Sequence, residues 1–205
     1  MRLYLATVAE STGSSIFNFT HSIRPEMAIL LIPDQNREER DFETIKSYLK
    51  SRGVWHDRWE AAIEFDSTAD QDTILNAYAH VLKPYMASNG YQVADVLNVN
   101  ANTPNLPALR EKFLREHTHT EDEVRFFVDG QGIFWFNPAD GGPVFCVVCR
   151  AGDLLSVPTG VRHWFDLGPE PFVKVIRIFI DPSGWVPEYT ESGIDQNYRL
   201  AHVPA

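Results

Sequence analysis

Apolar positions change their spacing part-way along the chain. Through about residue 104 they alternate between strand-like runs and stretches of helical period. RLYLATV (2–8), SIFNFTH (15–21) and AILLIP (28–33) have the apolar and β-branched content of strands. In DFETIKSYLKSRG, Phe42, Ile45 and Leu49 fall on one helical face, and Gly53 marks the stop. Residues 69–90 repeat this logic, with Ile74, Tyr78, Val81 and Tyr85 on one stripe and a break expected near Pro84. TPNLPALREKFLREH predicts a third helix, entered through Thr103 and Pro104, with Leu109 and Phe113 four apart on one face.

From residue 117 the texture is different. Short aromatic and β-branched runs are separated by DGQG, NPADGGP, RAGD, VPTG, LGPEP and DPSG, each read as a turn. Turn signals at such regular spacing predict a small β-barrel or a double-sheet jelly roll. The pattern as a whole therefore predicts a mainly β chain with flanking helices (α+β). No repeat or linker divides it, so 1–205 reads as a single domain, with 1–104 packing on a barrel core at 105–188 and a tail at 189–205.

Composition narrows the partners. A formal charge of −10 over 205 residues argues against nucleic acid, which needs clustered Lys and Arg. The opening MRLYLATVAESTG lacks a basic stretch followed by a sustained apolar one, and no run of 18 apolar residues occurs, so the expectation is a cytoplasmic protein without a membrane partner. The two cysteines, Cys146 and Cys149, sit three apart on a predicted strand, hence on opposite faces; reduced, structural thiols are expected rather than a disulfide or a zinc site.

The chemistry concentrates in REHTHTEDEVRFF (115–127). On an extended strand His117 and His119 project to one side, and Glu123 and Arg125 share their parity, provided that the acidic turn between them keeps the phase. Phe126 and Val128 then face a second apolar layer. GDLLSVPTGVRHWFD supplies His163 behind a Pro-Thr-Gly turn, with Phe165 pointing the same way. Three imidazoles and one carboxylate suit Fe(II), Ni(II), Zn(II) or Mn(II) better than calcium or magnesium, and four ligands leave exchangeable positions on an octahedral ion. His21, His56, His80 and His202 have no such company and read as ordinary surface or core residues.

The two segments HTHTEDEVRFFVDGQG and GDLLSVPTGVRHWF resemble the paired motifs of the cupin superfamily, a double-stranded β-helix barrel. Within it, LREKFLREHTHTEDEVRFFVDGQGIF, VPTGVRHWFDLG and IRIFIDPSGWVP are similar to the acireductone dioxygenases of methionine salvage, over about residues 105–188. That resemblance implies a monomer holding one Fe(II) or Ni(II) per chain through His117, His119, Glu123 and His163. It implies cleavage of 1,2-dihydroxy-3-keto-5-methylthiopentene by O2, to 4-methylthio-2-oxobutanoate and formate with iron, or to methylthiopropionate, formate and CO with nickel. It gives Arg125 a role in generating the substrate dianion, Glu116 one in metal incorporation and Asp122 one in transmitting conformational change. Phe113, Phe165 and Trp185 match its aromatic substrate wall. Arg177 shares the strand parity of Val173, Val175 and Phe179, an odd place for a charge unless it meets an anionic ligand or a buried carboxylate. Another cupin metalloenzyme, such as a different dioxygenase or a sugar isomerase, and a non-catalytic ligand-binding cupin are the competing readings.

Overall fold

The computed structural model describes residues 27–61, 63–66, 68–181 and 186–200. RLYLATV, SIFNFTH, His21, Trp185 and His202 lie outside the described residues. The first described strand is β1 (Ile29–Ile32), followed by β2 (Arg37–Glu39), α1 (Phe42–Lys50), β3 (Trp55–Arg58), α2 (Gln71–Ala77), α3 (Ala79–Asn89), β4 (Val93–Val99) and α4 (Leu106–Leu114). Then come β5 (His117–Thr118), β6 (Glu123–Phe136), β7 (Phe145–Arg150), β8 (Asp153–Val157), β9 (His163–Asp166), β10 (Val173–Phe179) and β11 (Glu188–Tyr189).

One strand organises the barrel. β6 is 14 residues long and serves two antiparallel sheets: its first half pairs with β10 and β8, its second half with β7 and β9. β4 extends the first sheet beyond β10, and β3 extends it beyond β8. β1 and β2 extend the second sheet beyond β7, while β5 and β11 close its other side beyond β9. The main core fills the space between the sheets, with Phe127, Phe134, Phe136, Phe145, Leu155 and Phe165 buried there. This is the mainly β, jelly-roll architecture that the turn spacing predicts.

DGQG, read from the sequence as a turn, is instead a corner within β6. Phe127 faces the main core while Phe126 and Val128 face outward; beyond the corner the phase inverts, and Phe134 and Phe136 face inward while Ile133 and Trp135 face out. A shift of one residue reverses every side chain. Gly130 makes it possible: its φ is +69°, and a Cβ there would lie 2.1 Å from the carbonyl oxygen of Phe172. Gly130→Ala should therefore cost roughly 2–4 kcal/mol of stability, read as a lower urea midpoint at unchanged m-value; an unaltered midpoint would mean that the corner yields freely.

The helices follow their apolar stripes, with two corrections. α1 is capped by Asp41, whose carboxylate accepts from the Thr44 amide at 2.9 Å, and it buries Ile45 and Leu49. The second helical stretch breaks at Tyr78, not at Pro84. Tyr78 is fully buried with its ring 5.0 Å from that of Phe126, and this anchor fixes the junction of α2 and α3, while Pro84 is accommodated inside α3. Entry to α4 is through Asn105, in the left-handed region, and Pro107; the Thr103 hydroxyl is already engaged in accepting from the Asn100 amide. α2 and α3 cover the outward face of the first sheet at Val124, Phe126 and Val128, the second apolar layer expected from strand parity.

Cys146 and Cys149 lie on opposite faces of β7, the first among the outer cluster and the second in the main core. Both are free, and burial pushes both thiols well above their usual range, so neither carries a thiolate. His56 is a core residue, 3.1 Å from the buried Asp153, and His80 is exposed.

Candidate metal centre

Four side chains converge inside the barrel from both sheets. β5 carries His117, directly opposite His163 of β9 in the strand register. His119 follows β5, and its carbonyl accepts from the Gly160 amide at 3.1 Å and from the Thr159 hydroxyl at 3.0 Å, which ties it to the Pro-Thr-Gly turn. Glu123 opens β6 and reaches in from the other sheet. The acidic turn between His119 and Glu123 thus carries the chain from one sheet to the other.

The imidazoles are oriented by backbone carbonyls. His117 Nδ1 is 2.7 Å from the carbonyl of Arg115, and His163 Nδ1 is 2.8 Å from that of Val161. A nitrogen facing a carbonyl carries a proton, and this contact turns the Nε2 of each ring toward the interior. Glu123 Oε2 lies 3.0 Å from His119 Nε2 and 2.8 Å from His163 Nε2. All four potential donor atoms fall within 4.8 Å of one another, and all four residues are buried.

The electrostatics favour a cation. Burial, aided by the neighbouring His163, pulls the His117 pKa down to about 3, so that ring is neutral at physiological pH. Burial alone would raise the Glu123 pKa, but Arg125, His119 and His163 outweigh it and hold the carboxyl well below its usual range. Neutral imidazole beside ionised carboxylate is the protonation state that metal binding requires. Donors at right angles around an ion, each about 2.1 Å from it, stand about 3 Å apart, close to the spacings found here around Glu123. The residues fit a transition-metal ion.

Beside the four lies a cavity of ≈ 70 Å³, lined by Lys112, Phe113, His117, His119, Arg125, Phe165, Arg177 and Pro187. Arg125 is buried, and its Nη2 is 2.6 Å from Glu123 Oε1. Its guanidinium carbon lies 4.3 Å from the centre of the Phe165 ring, against which Phe113 packs edge-on at 6.1 Å. Burial lowers the Arg125 pKa while Glu123 pulls the other way. The cavity lining therefore combines a buried guanidinium with the aromatic rings that pack against it. A larger hollow of ≈ 310 Å³ near Arg52 and Arg162 contains none of the four converging residues.

Arg177 has the carboxylate partner that its odd parity demanded. Asp95, its register neighbour on β4, accepts from Nε at 2.7 Å and from Nη2 at 2.5 Å. Sequence reading missed Asp95 because nothing in VADVLNV announces which strand it will pair with. It also missed Lys112 and Pro187, which reach the cavity only through the docking of α4 and of the segment before β11.

Glu116 faces away from the four. It is buried, and its carboxylate accepts from Asn137 Nδ2 at 2.6 Å, from Ser192 Oγ at 2.5 Å and from the Thr190 hydroxyl. Burial would raise its pKa, yet these hydrogen bonds keep it low. Asp122 accepts from the Thr159 amide at 3.0 Å and from the Tyr91 hydroxyl at 3.3 Å. Because Thr159 also holds the carbonyl of His119, Asp122 connects the half-buried Tyr91 to a candidate ligand through one residue.

Known proteins give this geometry a family. The ARD/ARD' family model matches residues 32–187. The chain belongs to the ARD/ARD' family. An acireductone dioxygenase of Picosynechococcus is 56% identical over 173 residues, spanning 84% of this chain and 98% of that protein. One from Marinobacter nauticus is 44% identical over 183 residues, spanning 89% and 92% respectively. Among solved structures, the Bacillus anthracis acireductone dioxygenase with a cadmium ion in its active center superposes with a TM-score of 0.75 at 36% identity, covering 80% of this chain and 99% of that one. No described helix is long and apolar enough to cross a membrane.

Proposed function

We propose that this ARD/ARD' family member is an acireductone dioxygenase that holds one Fe(II) or Ni(II) through His117, His119, Glu123 and His163 and cleaves 1,2-dihydroxy-3-keto-5-methylthiopentene with O2. The observation that carries this reading is the convergence of those four buried groups beside a cavity lined by the Arg125 guanidinium and by the phenyl rings against which it packs. A non-catalytic binding module has no need of that combination.

When bound, the metal supplies Lewis acidity toward the substrate's oxygens and a template that brings the substrate and O2 together. The chain supplies the rest. Arg125 is placed to stabilise negative charge on the enediol, which favours loss of its protons and formation of the electron-rich dianion. Phe113 and Phe165 receive the thioether tail, since sulfur packs well against aromatic edges, and the family resemblance alone adds Trp185 to the substrate-binding set. Phe165 and Phe134 also exclude water from the Arg125 side, where a low dielectric strengthens each charge interaction. Arg177, braced by Asp95, adds a second guanidinium to the cavity lining. Glu116 would bear on metal incorporation through the segment at 190–192 that it ties down, and Asp122 would transmit movement at Thr159 to His119.

All four candidate ligands come from this one chain, so the site needs no residue from a partner, and a single-domain monomer working in the cytoplasm completes the proposal. Fe(II) and Ni(II) accept the same donors, so the metal supplied decides the products. The test is reconstitution of metal-free protein with each metal and identification of the products by mass spectrometry and gas analysis. Iron is expected to give 4-methylthio-2-oxobutanoate and formate, and nickel to give methylthiopropionate, formate and CO. A protein that turns over no acireductone with either metal would refute the reading.

A further inference from the structure

We propose that Lys112 is a substrate-positioning residue, its ammonium at the mouth of the cavity drawing in and holding the anionic acireductone. This rests on the dioxygenase reading and adds a residue to it.

Charge bookkeeping around the cavity singles Lys112 out. Arg125 is tied to Glu123 at 2.6 Å, and Arg177 to Asp95 at 2.5 Å, so these two positive and two negative charges cancel. Lys112 lines the same cavity as His117, His119 and both arginines, and it has no ion-pair partner among the described residues. Among the described residues it is therefore the one cation at the cavity whose charge no neighbouring carboxylate offsets. The rest of the molecule makes this matter: a chain of formal charge −10 repels an anion at long range, and a local cation beside low-dielectric walls reverses the field where the substrate enters.

The placement suits capture rather than chemistry. Lys112 lies in the last turn of α4, and its carbonyl accepts from the Tyr189 hydroxyl at 3.3 Å, which holds its backbone while its side chain is exposed to solvent. A compact, strongly hydrated ammonium on a flexible stem can meet an anion outside the pocket and follow it inward, whereas Arg125 is buried and fixed. The competing role for a lysine here is to complement the negative end of the α4 dipole. That role would change stability and leave substrate affinity alone.

The experiment compares metal-loaded wild type, Lys112→Met, Lys112→Arg and, as a control far from the cavity, Lys50→Met at the end of α1. Acireductone binding is measured by calorimetry without oxygen, and O2 uptake is followed across a range of NaCl concentrations. Lys112→Met is expected to raise both the anaerobic Kd and KM about tenfold, equivalent to about 1.4 kcal/mol. Its kcat and Tm should stay at wild-type values, and the decline of kcat/KM with salt should flatten. Lys112→Arg should recover most of the loss, and Lys50→Met should match wild type. An unchanged Kd for Lys112→Met, or a fall in Tm with no change in Kd or salt dependence, overturns the role of Lys112. If wild type itself neither binds nor oxidises acireductone, the dioxygenase reading fails and this inference fails with it.

Discussion

Glu123→Gln should leave a folded chain that carries less than about a tenth of a metal ion, since losing even a group that orients a ligand costs 10–100-fold in affinity and losing the ligand itself costs more. Glu123 is the only carboxylate among the four converging residues, and its Oε2 stands within 3.0 Å of both His119 and His163. Glutamine keeps the volume but brings no negative charge, and one of its two polar ends is a donor that cannot bind a cation. The change also deprives the buried Arg125 of the negative charge of Glu123, so metal-free Glu123→Gln should lose about 3–5 kcal/mol of stability relative to metal-free wild type. Elemental analysis and urea unfolding on the same preparation separate the two effects. Full metal retention in this variant would remove Glu123 from the ligand set.

Arg125→Met should do the opposite: metal stays at one per chain while kcat/KM falls about 10²–10³-fold, the size of effect seen when a donor aimed at developing charge is removed. Methionine preserves apolar contact with the Phe165 ring, so packing at the cavity wall is largely conserved. Glu123 then has the metal for its charge partner, which limits the structural cost. Steady-state kinetics and elemental analysis together decide the matter. Metal loss in step with activity loss would make Arg125 a brace for Glu123 rather than a partner of the substrate.

Much of the centre is legible along the chain because its parts lie on strands, where parity alone says which side chains share a face. His117, Glu123 and Arg125 point inward with Phe127, while Phe126 and Val128 point to the α2 and α3 layer, all from a period of two. His163 is placed by the Pro-Thr-Gly turn that precedes it, and that turn proves to hold His119 as well, through Thr159 and Gly160. What periodicity does not carry is a change of phase. Gly130 lets β6 turn a corner where its residue types announce a loop, and the difference lies in Phe172, a residue far along the chain whose carbonyl leaves no room for a side chain. Tyr78 breaks the α2–α3 stretch for a similar reason: its anchor, Phe126, is on a distant strand. Asp95 and Lys112 escaped notice because their roles depend on pairing and docking between elements, and a single sequence read locally contains no register for either.

The central claim, one metal held by His117, His119, Glu123 and His163 and required for acireductone oxidation, is tested most directly with an oxygen electrode. Metal-free protein and acireductone are mixed, Fe(II) is added in fractions of an equivalent, and wild type is compared with His119→Ala. Enzyme-dependent O2 uptake should be absent at the start, should rise linearly, and should level off at about one equivalent per chain in wild type, with no rise above the protein-free background in His119→Ala. Uptake by the metal-free wild type, or a His119→Ala trace that follows the wild-type one, would contradict it.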